Sequence, residues 1–112
     1  MGLIACMKSM TLGKATIPTI TSATTITLDN SSNVFLLSGT ATCTSLVCNE
    51  AITPGRRVRF LGSSGTTTFT NTDSASTLGQ MYLGGANRSI GPSQQLTLEQ
   101  DNNGIWQIVG NT

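Results

Sequence analysis

The chain has 112 residues and a formal net charge of +1, with 10% charged and 4% aromatic residues. That length holds one domain with a modest core and is too short for two. So balanced a charge is no electrostatic footprint for nucleic acid, and no apolar run approaches the roughly 20 residues of a membrane span.

Few charges and few aromatics leave Thr, Ser, Asn and Gly to build the surface. Threonine, β-branched and half-polar, suits a pleated sheet that is wet on one side, so an all-β domain is expected. Histidine is absent, which removes Ser–His and Cys–His nucleophile systems. The three cysteines, Cys6, Cys43 and Cys48, form no zinc framework. They read as free thiols suited to a reducing cytosol, although spacing alone leaves open whether Cys43 and Cys48 pair. No metal or cofactor is expected.

Residues 1–14 read as a separate opening, with Leu3, Ile4, Met7 and Met10 spaced among polar residues. They are too short to be stable alone, so they serve either as an attachment arm or as a terminal strand tucked under the domain of residues 15–112. Leu3 to Cys6 resembles a lipoprotein box without its leader, and Gly2 lacks the Ser or Thr of a myristoylation signal; neither reading is adopted.

From residue 15 the chain breaks into short strands with polar punctuation. Residues 15–20 carry Pro18 and read as an edge strand. Residues 24–28 alternate, with Ile26 and Leu28 inward. Residues 33–38 (Asn-Val-Phe-Leu-Leu-Ser) are continuously apolar, with Val34 and Leu36 assigned inward. Residues 40–47 and 56–62 flank a Thr-Pro-Gly corner. In the second of these runs Val58 and Phe60 face the core, while Arg57 and Arg59 face outward. Residues 62–65 read as a turn and 66–70 as a strand. The 78–83 segment follows, broken by Gly84-Gly85. Residues 95–99 place Leu96 and Leu98 inward, Asp101 to Gly104 forms a hairpin turn, and residues 105–109 close the chain. Leu46, Phe69, Leu83, Trp106 and Ile108 complete the expected core; Tyr82 and Trp106 could stack on a sugar or base, but each sits in a strand, where core packing is the commoner fate.

Eight or nine short strands at this spacing predict a small antiparallel jelly-roll-like β-sandwich. Its thin core points to subunits that bury surface against each other. The acids Asp29, Glu50, Asp73, Glu99 and Asp101 sit in or beside turns, where capping outweighs catalysis. The glycine pairs open no helix that could cradle phosphate. Catalysis is not expected.

The order of signals across residues 24–109 resembles a β-module of bacteriophage fibres and appendages. Its pieces are Thr-Thr-Ile-Thr-Leu, Ser-Gly-Thr-Ala-Thr, Pro54-Gly55 before Arg56, Arg57 and Arg59, the Thr-rich strand, Leu83-Gly84-Gly85, Gly91-Pro92, and Asp101 to Gly104 with Trp106. The resemblance implies a trimeric virion-surface module made in the host cytoplasm. The reading that follows is a decoration (cement) protein that stabilises the capsid. Leu3, Ile4, Met7, Met10, Arg56, Arg57 and Arg59 would contact the major capsid protein or another virion protein. The alternative is a short tail fibre or fibre tip that recognises host surface glycan through loops near Asp73 and Asn87.

Overall fold

A computed structural model describes residues 16–49 and 52–111, in which all regular structure is strand. The first half of the chain coils, returning to the same sheet on each circuit. β1 (Thr19–Thr21), β3 (Val34–Ser38) and β6 (Arg57–Ser64) lie side by side in one sheet. β2 (Thr25–Leu28) and β5 (Ser45–Cys48) form a second, and β4 (Thr42–Cys43) and β7 (Thr67–Phe69) pair in a third. Each circuit supplies the long crossover that parallel pairing requires, so β1–β3, β3–β6, β2–β5 and β4–β7 are all parallel. The result is a short stack of coils resembling the start of a solenoid.

The second half closes the stack. β8 (Met81–Tyr82), β9 (Arg88–Ile90), β10 (Gln95–Gln100) and β11 (Trp106–Asn111) add to existing edges. β10 runs antiparallel to β6 and β11 antiparallel to β10, while β9 runs antiparallel to β7. β8 lies parallel to β11 and completes a six-stranded sheet in the order β1-β3-β6-β10-β11-β8.

The all-β expectation holds. The antiparallel arrangement is corrected: among the described residues five of the eight strand pairings are parallel, and a jelly roll is antiparallel throughout. Alternation along a strand reports which face is buried; it carries no information about the direction of the neighbour.

Circuits are held at their corners as well as in their ladders. Ser22 N–H donates to the Ser38 carbonyl at 2.7 Å, and Gly39 N–H to that of Ser64 at 3.0 Å. The Ser22 hydroxyl, nearly buried, accepts Ala41 N–H at 3.0 Å. Gly39 turns this corner at φ 101°, in the left-handed region that glycine occupies without steric cost.

One apolar cluster lies between the sheets: Ile26, Leu28, Leu46, Val58, Phe60, Phe69, Leu83, Leu96, Leu98 and Trp106 are all buried, as expected. Val34 and Leu36 are not among them. Phe35 and Leu37 point inward instead, because β3 pairs with β6 as Phe35↔Phe60 and Leu37↔Gly62. The Phe60 ring then sits between those of Phe35 and Phe69, at centroid distances of 6.2 and 5.3 Å. Cys43, Met81, Ile90 and Ile105 join the buried set.

Candidate functional surface

The Pro54-Gly55 corner leads directly into Arg56, and the structure gives this residue an internal task. Its Nη2 donates to the carbonyls of Asp29 and Ser32 at 2.7 and 3.0 Å, and its Nε to Asn33 Oδ1 at 2.9 Å. Nη1 lies 3.4 Å from the Cys48 sulfur. The guanidinium therefore fills the turn between β2 and β3, satisfying carbonyls that the turn leaves without strand partners. At the same corner, Gln100 is buried and its Oε1 accepts Thr53 N–H at 3.1 Å. Arg56 thus acts as an internal staple of this corner.

Arg57 and Arg59 face outward on β6, as alternation requires. Arg57 Nε meets Glu99 Oε1 at 2.8 Å, and Arg59 Nη1 reaches Gln95 Oε1 at 3.3 Å. Both pairs cross the β6–β10 ladder and lie in solvent. We expect Arg56→Ala to cost about 1–2 kcal/mol, a discounted value for several charge-assisted hydrogen bonds at a half-buried site. Arg57→Ala should stay within about 0.5 kcal/mol, the usual worth of an exposed pair. Urea midpoints compare the two, and equal losses would refute the staple. Leu3, Ile4, Met7 and Met10 lie outside the described residues.

The cysteines among the described residues are free. Cys43 is buried and its Sγ donates to the Ser45 carbonyl at 3.3 Å; burial pushes its thiol pKa up, so it stays protonated and inert. The acids mostly shape turns. Asp29 accepts from Ser31 Oγ and N–H, and those bonds hold its carboxyl below the usual value. Asp101 Oδ1 accepts the amides of Asn103 and Ile105 at 2.8 and 3.0 Å and fixes the hairpin between β10 and β11. Among the described residues no group of His, Cys, Asp or Glu could hold a metal ion.

The loops proposed to meet glycan are also occupied internally. Asn87 Oδ1 accepts Asn71 N–H, while Asn71 Nδ2 donates to Asp73 Oδ1, both at 2.8 Å. Asn71 Oδ1 in turn accepts Leu83 N–H at 2.7 Å. These bonds tie the turn after β7 to the segment after β8.

The outer face of the six-stranded sheet is also exposed, and it carries Tyr82, for which packing within its strand was the expectation. Tyr82 is 41% exposed, whereas Trp106 is fully buried. Met81 takes the inward position of the two-residue strand β8, so Tyr82 must point out. Two shallow depressions lie on this face. One, of about 160 Å³, is lined by Gln95, Thr97, Gly110 and Asn111; the other, of about 250 Å³, is lined by Glu99, Gln100, Asp101 and Gln107.

Comparison with protein-family models, with curated proteins and with solved structures finds no match to this chain.

Proposed function

We propose that the chain is a structural protein of a bacteriophage virion, a trimeric decoration module that binds the capsid and stabilises it by bridging subunits. One observation supports self-association most directly. Among the described residues β1 pairs with β3 alone and β2 with β5 alone, leaving two strand edges at the same end of the stack. No charged residue lies between positions 16 and 28, although monomeric proteins commonly guard such edges with charge; only Pro18 stands near. In this reading copies of the chain bury apolar surface and backbone edges against each other. Residues 1–14, with Arg57 and Arg59, reach the shell.

Two measurements test the proposal together. Sedimentation of the purified chain should give three times the 11.7 kDa chain mass. Immunogold labelling of intact virions should mark heads at regular density. A monomer with no gold on heads or tails would remove the reading.

The second reading is a fibre tip that binds host surface glycan, and exposed Tyr82 favours it. It expects gold confined to tail ends and labelled protein that adheres to host cells. Unlabelled cells would count against it.

A further inference from the structure

We propose that the row Tyr82, Gln107, Glu99 and Arg57, crossing the outer face of the six-stranded sheet, is a binding site for a neutral oligosaccharide. It rests on the glycan reading only for the source of the sugar. The site itself rests on strand register.

Tyr82 pairs with Gln107 across β8 and β11, Gln107 with Glu99 across β11 and β10, and Glu99 with Arg57 across β10 and β6. Register partners in a sheet project to the same face, and strands lie about 4.8 Å apart, so the row extends roughly 14 Å in a straight line. That length suits a short linear sugar chain laid across the strands. Backbone ladders hold all four positions, so little ordering entropy is lost on binding.

The chemistry along the row matches both sides of a pyranose. A sugar ring offers an apolar C–H face and a rim of hydroxyls that donate and accept. Tyr82 supplies an exposed aromatic platform for the first, while the remaining aromatics, Phe35, Phe60, Phe69 and Trp106, are sealed in the core. For the rim, Gln107 both donates and accepts, Glu99 accepts and Arg57 donates. These are planar groups able to engage adjacent hydroxyls in pairs.

Charge selects the class of sugar. Arg57 and Glu99 already neutralise each other at 2.8 Å, and with Arg59 and Asp101 also on this side of the sheet the formal charges sum to zero. No net field remains to draw a sulfated or sialylated chain. Shape agrees. At Gly110, opposite Thr97, nothing stands within 4 Å of where a side chain would begin, so the floor beside the row stays flat. A second copy of the chain would find few apolar anchors on so polar a strip.

The test uses the full chain on a printed array of neutral and acidic oligosaccharides. Backbone NMR titration with the best neutral compound then follows. The expected result is retention of neutral compounds only, with amide shifts centred on residues 57, 82, 99 and 107. Tyr82→Ala should weaken binding about tenfold and Tyr82→Phe far less. Both should keep the wild-type unfolding midpoint, because the ring is exposed. An empty array, acidic compounds alone, or shifts at another surface would each overturn the site. Shifts at these residues that depend on protein concentration without sugar would assign the row to self-association instead. Cell adhesion that persists in Tyr82→Ala would retain the fibre-tip reading while removing this row from it.

Discussion

Trp106→Ala should cost about 3–5 kcal/mol, a large share of the roughly 5–15 kcal/mol available to a domain of this kind. Trp106 is fully buried, opens β11, and pairs with Gln100 on one side and Met81 on the other. Its Nε1 donates to the Leu46 carbonyl at 2.9 Å, which joins the closing hairpin to the β5 strand of an earlier circuit. The substitution therefore opens a cavity and leaves an acceptor without its donor. Trp106→Phe separates the two effects. It keeps an aromatic ring and loses the donor, so about 1–3 kcal/mol is expected from the unpaired carbonyl, in addition to a smaller packing loss. Urea denaturation of both variants checks the ordering. A loss below about 1 kcal/mol for the alanine variant would mean that the hairpin is not locked to the stack through this residue.

The second large effect is Gly62→Ala, for a reason unrelated to turns. Gly62 lies inside β6, where its N–H donates to the Gln94 carbonyl at 2.8 Å and its own carbonyl accepts Ser93 N–H at 3.3 Å. A Cβ there would overlap the Gly91 carbonyl, and the Ile90 methyl would be 3.3 Å away. The obstacle is backbone, and it is held in place. Gln94 Oε1 accepts Gly91 N–H at 2.7 Å, so the segment between β9 and β10 cannot easily withdraw. Overpacking against a fixed backbone should cost about 3 kcal/mol, the upper part of the usual range. Gly110→Ala is the control. With open space around it and no left-handed φ, it should stay within about 0.5 kcal/mol. Equal midpoints for the two variants would disprove the close approach.

Gly62 also marks where local reading stops. Gly-x-x-Gly looks like a turn, and residues 62–65 read as one. The strand instead continues to Ser64, with a register shift against β3 between Leu37 and Ser38. The glycine is there because another segment passes within contact distance. Nothing within four residues of it reveals that segment.

Alternation alone was enough for several strands. In residues 24–28, 57–60 and 95–99 polar and apolar residues take turns, so Ile26, Leu28, Val58, Phe60, Leu96 and Leu98 could be placed inside with no knowledge of neighbours, and all are buried. The Asp101 to Gly104 hairpin was equally local, since its carboxylate bonds amides two and four residues ahead. Residues 34–37 carry no such phase. Val, Phe, Leu and Leu satisfy either face, and pairing with Phe60 selected Phe35 and Leu37. The same holds for Arg56, whose oxygen partners Asp29, Ser32 and Asn33 lie more than twenty residues away, and for Tyr82, turned outward by the inward packing of Met81. Composition and period-two pattern thus determined that the protein is all-β and much of which residues form its core. Strand direction, the fate of the ambiguous run and the exposed row on the six-stranded sheet were decided only by tertiary packing. Pattern acts within one strand, whereas direction and exposure depend on which distant strand lies alongside.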